Sequence, residues 1–207
     1  MGKEKRLFLL AVMTVMMSTV GYGRTIGGEH NNPKEPNKEF YDKDGIKVEK
    51  PKDVGYSIKS SGSTSQISAI IKTDIVVTEG KGIELAIRKV GKGDTKVTFE
   101  GKLSIENEKG IGVNLVVNDN KENIKNEFIN DGTIKVAGGK GIQLNNEKDV
   151  VTNNNEIIVD KDTNGIGVSM SAGNFTNSET GKITVGKDGI KVAGHQKMKE
   201  LLQYLVE

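Results

Sequence analysis

The sequence predicts an all-β fold: a right-handed parallel β-helix of about five coils, with an N-terminal signal peptide and a short C-terminal helix. Three observations carry this. First, a Gly-Ile-x-aliphatic phrase recurs at Gly82-Ile83-Glu84-Leu85, Gly110-Ile111-Gly112-Val113, Gly141-Ile142-Gln143-Leu144, Gly165-Ile166-Gly167-Val168 and Gly189-Ile190-Lys191-Val192. The Gly-to-Gly steps are 28, 31, 24 and 24 residues. Second, an aliphatic pair of period two precedes each phrase: Ile75/Val77, Leu103/Ile105, Ile134/Val136, Ile157/Val159 and Ile183/Val185. Period-two alternation marks a strand with one buried face. Third, the repeat is built from Gly, Asn, Val and Ile, which are mediocre to poor helix formers, and the Leu-x-x-Leu-x-Leu signature of leucine-rich repeats is absent.

Residues 1–23 read as an export signal. Lys3, Lys5 and Arg6 make a positive start, Leu7 to Met17 is apolar except for Thr14, and Gly21-Tyr22-Gly23 offers small residues at the −3 and −1 positions of a cut after Gly23. The apolar run is short for a membrane span, and no Cys follows it to take a lipid. Without this segment the chain carries 27 basic and 27 acidic residues, so no charge argument for an anionic partner survives. Lys outnumbers Arg 27 to three, which further argues against nucleic acid as a partner.

Residues 24–66 hold all three prolines and few consecutive apolar residues, so they are expected to be a flexible tail or linker. Asp44-Gly45-Ile46-Lys47-Val48 within them reads as a degenerate first repeat. Residues 67–194 are the β-helix repeats. A third, looser apolar patch (Val97/Phe99, Phe128, Val150, Phe175) adds a further strand to several units. A lone coil cannot fold: about 24 residues cost roughly 1–2 kcal/mol each in backbone entropy, while five or six inward aliphatics return only about 1.5–3 kcal/mol each. Stacking identical positions adds inter-coil hydrogen bonds without lengthening the coil. The recurring Gly is expected at a corner needing positive φ or close backbone approach. Asn130, Asn153 and Asn177 precede the first strand of each pair, where their amides are expected to stack as a ladder. Asn177 sits six residues before its Ile rather than four, which predicts a two-residue corner insertion.

Phe128-Ile129-Asn130-Asp131-Gly132-Thr133-Ile134-Lys135-Val136 followed by Gly141-Ile142-Gln143-Leu144, and Asn174-Phe175-Thr176-Asn177 with Gly181-Lys182-Ile183-Thr184-Val185, resemble the N-terminal passenger repeats of Gram-negative bacterial autotransporters of the type V secretion route. The resemblance covers about residues 67–194. It implies export by the general secretory machinery and display at the cell surface or outer membrane by a C-terminal β-barrel. It also implies an adhesin-like role against an unknown surface receptor, protein or glycan. No barrel-like series of alternating segments follows Val192, so a periplasmic end point is expected if no barrel is supplied. Residues 195–207 instead place Met198, Leu201, Leu202 and Leu205 at helical spacing. They read either as a cap on the solenoid or as the accidental tail of a truncated autotransporter.

No catalytic, cofactor-binding or metal-binding residue is predicted. The chain has no Cys, hence no disulfide, thiolate nucleophile or Cys-ligated metal; this suits a chain that crosses an oxidising compartment unfolded. Its two histidines, His30 and His195, are far apart, and no Gly-x-Ser-x-Gly elbow is present. Asp160-x-Asp162-x-Asn164-Gly165 imitates half a calcium loop, but Ser171 stands where the bidentate Glu belongs. Gly138-Gly139-Lys140-Gly141 lacks the Asp of a calcium β-roll. Gly181 to Gly186-Lys187 imitates a phosphate loop, but Asp188 replaces the Mg²⁺-binding hydroxyl. Lys92-Gly93-Asp94 marks an exposed loop, and Asn118–Asn126 a longer contact loop. The alternative function is a carbohydrate-active β-helix, a polysaccharide lyase or hydrolase using paired acids. Far-UV circular dichroism of residues 24–207 is expected to be dominated by strand; a mainly helical spectrum contradicts the fold.

Overall fold

The computed structural model describes residues 24–27, 38–60, 67–87, 94–117, 125–160, 163–184 and 188–192. Among them there is no helix, and the strands stack as a parallel β-solenoid. After β1 (Arg24–Gly27), each coil contributes three strands. Coil one is β2 (Lys38–Phe40), β3 (Ile46–Val48) and β4 (Val54–Ser60); coil two is β5 (Ile67–Ile71), β6 (Ile75–Val77) and β7 (Gly80–Ile87). Coil three is β8 (Thr95–Phe99), β9 (Lys102–Ile105) and β10 (Gly110–Val117); coil four is β11 (Asn126–Asn130), β12 (Thr133–Val136) and β13 (Lys140–Leu144). Coil five is β14 (Val150–Asn153), β15 (Glu156–Val159) and β16 (Ile166–Met170); coil six is β17 (Asn174–Asn177), β18 (Lys182–Thr184) and β19 (Asp188–Val192). The first strands of the coils form sheet I, the second strands sheet II, and the third strands, with β1 at the end, the seven-stranded sheet III.

All pairings are parallel and in register, so each inward position becomes a column running up the stack. In sheet II, Ile46, Ile75, Leu103, Ile134, Ile157 and Ile183 are successive partners, and Val48, Val77, Ile105, Val136 and Val159 form the column beside them. In sheet III, Tyr56, Ile83, Val113, Ile142, Val168 and Ile190 align, next to Ile58, Leu85, Leu115, Leu144, Met170 and Val192. Coil three shows the packing unit: Val97, Phe99, Leu103, Ile105, Val113 and Leu115 are all fully buried. With so few aromatics, the bore is narrow and aliphatic. Phe99 and Phe128 stack from adjacent coils at 6.5 Å, and the buried Tyr56 hydroxyl meets Thr73 Oγ1 at 2.6 Å.

Three sequence expectations are corrected. The stretch expected to be a tail with a degenerate first repeat carries a complete coil, because Ile46, Val48, Tyr56 and Ile58 bury their side chains in the core. It stacks beneath the five expected coils. The phrase was misaligned by two residues in two copies: Val113 and Val168, not Ile111 and Ile166, fall in the Ile83/Ile142 column. Ile111 and Ile166 instead share an outward column with Lys81 and Lys140 and are half-buried. The inward residue of β14 is Val151, with Val150 on the outer face. The signal peptide, the C-terminal helix, Lys92-Gly93 and residues 118–124 lie outside the described residues.

The glycine that matters at the sheet II–sheet III corner is the one beside the buried column. A Cβ on Gly112 would lie 2.5 Å from the Gly141 carbonyl oxygen and 2.9 Å from both Ile105 Cδ1 and Leu103 Cδ2. Gly55, Gly82 and Gly141 meet the coil above in the same way. This is close approach of the next strand's backbone in the same sheet and not left-handed backbone; that applies at Gly139, with φ of 70°. Gly112→Ala must push a backbone oxygen of the next coil aside and is expected to cost about 1–3 kcal/mol. The check is a lower urea midpoint at unchanged slope; an unchanged midpoint contradicts the close-packing account.

Candidate functional site

The inward columns of sheet I change character half way along the stack. Phe40, Ile71 and Phe99 occupy one column in coils one to three, and Asn130, Asn153 and Asn177 continue it in coils four to six. The expected amide ladder forms: Asn130 Nδ2 donates to Asn153 Oδ1 at 2.7 Å, and Asn153 Nδ2 donates to Asn177 Oδ1 at 2.7 Å. Asn177 Nδ2 turns back to the Gly181 carbonyl at 2.7 Å, inside the predicted corner insertion, which a Gly181 N–H to Ser178 O bond closes. Where the ladder meets Phe99, Asn130 Oδ1 is left buried with no partner.

A second polar column lies four residues before the first and was missed from sequence. Thr95, Asn126 and Asp149 are all fully buried at the corner between sheets III and I. Thr95 Oγ1 donates to Asn126 Oδ1, and Asn126 Nδ2 donates to Asp149 Oδ1 at 2.9 Å. Burial pushes the Asp149 carboxyl up to about 6, against the pull of the donors on Asn126 and Asn146. The signal was available: a polar residue stands four positions before each of Phe99, Asn130 and Asn153. The cue was hidden because three residue types fill the position.

The near-motifs resolve into corner structure where they are described. Thr163 Oγ1 donates to Asp160 O at 3.1 Å and accepts from Gly165 N–H at 3.3 Å, and Asp160 faces Lys135 at 3.7 Å. Asp162 and Gly186-Lys187 lie outside the described residues. Asp94 ties coils together by accepting the Lys125 N–H at 3.0 Å, as Asp74 accepts the Lys102 N–H at 2.9 Å. Asn126, placed by sequence at the end of a contact loop, is instead a buried ladder member. No group of three or more His, Cys, Asp or Glu side chains able to hold a metal occurs among the described residues.

The outer face of sheet III carries an unbroken polar row. Ser57, Glu84, Asn114, Gln143, Ser169 and Lys191 are successive register partners. Lys81 pairs with Glu84 within its coil, and Lys140 donates to Gln143 Oε1 at 2.9 Å in the same arrangement two coils on. Glu84, Gln143 and Ser169 are half-buried, while Ser57 and Asn114 lie at 4% exposure with Ser57 Oγ and Asn114 Oδ1 unpartnered. The row repeats polar side chains at the strand spacing of roughly 4.8 Å. No protein-family model, curated protein or solved structure matches the chain.

The first ladder yields a test. Asn153 accepts from Asn130 and donates to Asn177 Oδ1, Asn155 O and Lys182 O. Asn153→Ala strands several of these groups and is expected to cost roughly 2–4 kcal/mol. Asn130→Leu strands Asn153 Oδ1 but also removes an already unpartnered oxygen and extends the Phe99 column, so it is expected to cost less, about 1–2 kcal/mol. Urea midpoints of the two variants check the order; equal losses contradict the ladder.

Proposed function

We propose that the chain is a non-enzymatic, exported β-helical passenger-like module with an adhesin-like role at the bacterial cell surface. The observation that carries this reading is the uninterrupted stack: six coils bury aliphatic columns inward and leave three long outer sheet faces on which polar residues mix with half-buried Ile and Val. Such a body holds contact surfaces at a distance and needs no pocket. The leader-like residues 1–23 and the absence of Cys support passage through an oxidising compartment. The polar row on sheet III is the proposed contact face, carried by Glu84, Gln143 and Ser169, which remain half-exposed on coils two, four and five.

Expression of the full chain in a Gram-negative host tests export. The expected product starts at Arg24 and fractionates outside the cytoplasm; an uncut cytoplasmic product refutes export. The exported protein is then tested for binding to cultured cells and to an arrayed glycan panel. Binding is expected, and the joint substitution Glu84→Ala with Gln143→Ala is expected to lower it about tenfold, equivalent to about 1.4 kcal/mol, while the circular dichroism spectrum stays unchanged. Release of reducing ends from polysaccharides overturns the non-enzymatic reading in favour of a carbohydrate-active enzyme.

A further inference from the structure

We propose that Asp149 is a proton-operated latch on the corner between β13 and β14: protonated, it holds the corner closed against coil four, and ionised, it lets the corner open and admit water. The geometry is that of a one-sided site. Asp149 Oδ1 accepts from Asn126 N–H at 3.3 Å, from Asn126 Nδ2 at 2.9 Å and from Asn146 Nδ2 at 3.5 Å. Oδ2 is buried and meets no donor. A carboxylate places charge on both oxygens, so the closed corner solvates only half of it; a protonated carboxyl leaves only a neutral hydroxyl there. The proton is exchanged with solvent, and no other group need change state.

Asp149 also joins the elements that an opening would separate. Its N–H donates to Asn146 O at 3.1 Å within the turn, and its carbonyl accepts the Asn174 N–H of coil six at 2.8 Å. Below it, through Asn126, the column continues to Thr95 of coil three. The side chain thus ends a relay through three coils, and the backbone carbonyl of the same residue reaches a fourth.

The neighbouring charged groups are exposed or engaged with one another. In the turn itself, Glu147 and Lys148 are exposed. On coil four, Lys125 and Glu127 flank Asn126, and Lys96 of coil three reaches Glu127 at 3.0 Å. Glu127 is pushed up by burial, but its hydrogen bonds to Lys96 and Lys125 prevail and hold it below the usual carboxylate range. Asp94 of coil three accepts from the Lys125 N–H. From coil six, Gly173 and Asn174 bring no ionisable group.

The sign follows from linkage. The carboxyl is pushed up from 3.8 to about 6 in the closed corner, so closure is favoured fully below the lower value. It weakens as pH rises towards the upper one and changes little beyond it. Amide hydrogen exchange of the full chain, corrected for the pH dependence of intrinsic exchange, reads this directly. Protection of the Asn126, Asp149 and Asn174 amides is expected to fall on the order of tenfold between pH 5 and pH 7.5, while the Ile134 and Ile157 amides hold. In Asp149→Asn the pH dependence at the corner is expected to vanish. Equal protection at both pH values in the wild type, or the same pH dependence in the variant, overturns the latch. Should the variant fail to fold, carbon-detected titration of the wild-type Asp149 carboxyl decides. A midpoint near 6 supports the latch, and a midpoint at the ordinary carboxylate value overturns it.

Discussion

Registered stacking of one coil on the next is the constraint from which the remaining features of this solenoid follow. The second residue of one strand finds its counterpart directly above and below, because every pairing is parallel and unshifted, as in the Leu103–Ile134–Ile157 run. Backbone hydrogen bonds fix the vertical spacing, and the inward side chains then fill a bore of constant width. A slip of one residue would turn an inward column outward along the whole coil. The corner glycines follow from the same constraint: at Gly112 the carbonyl of the next coil's strand in the same sheet occupies the place of a Cβ.

Stacking also explains why polar groups are tolerated inside so thin a body. An isolated buried Asn is costly, but a column of them pairs its own members at the coil spacing, as Asn130, Asn153 and Asn177 do. The cost concentrates at the ends. The lower end meets Phe99 and strands Asn130 Oδ1, and the upper end is satisfied by the turn carrying Gly181. The second column differs because one member is ionisable. Thr95 and Asn126 can pass hydrogen bonds along, but Asp149 brings a charge to a place with too few donors. Ladder chemistry therefore gives rigidity in one column and proton sensitivity in the other.

The fold was legible because its strongest signal is periodic. Ile134/Val136 and Ile157/Val159 alternate cleanly, and the structure places both pairs in the same two columns. The amide ladder and the insertion before Ile183 were also readable, since spacing alone defines them. What escaped was register where glycines are doubled. Gly110-Ile111-Gly112-Val113 contains the phrase in two frames, and only the partner strands decide that Val113 faces inward. Coil one was read only at Ile46 and Val48, because the surrounding prolines and lysines masked Tyr56 and Ile58. The outer polar row on sheet III could not be read at all, since a row spanning coils appears only once register is known.

The functional reading rests on this same geometry, because a contact row such as Glu84–Asn114–Gln143 exists only if the coils are stacked as described. The chain contains no Cys, so register can be measured by introducing two. Thr152 and Thr176 are direct partners on the outer face of sheet I, roughly 4.8 Å apart and within the span a disulfide bridges. The double variant Thr152→Cys, Thr176→Cys is expected to cross-link rapidly and nearly completely on mild oxidation. Thr152→Cys with Asn174→Cys, offset by two residues along the same face, is expected to stay reduced. Equal cross-linking of the two pairs, or faster closure of the offset pair, would contradict the stacked register.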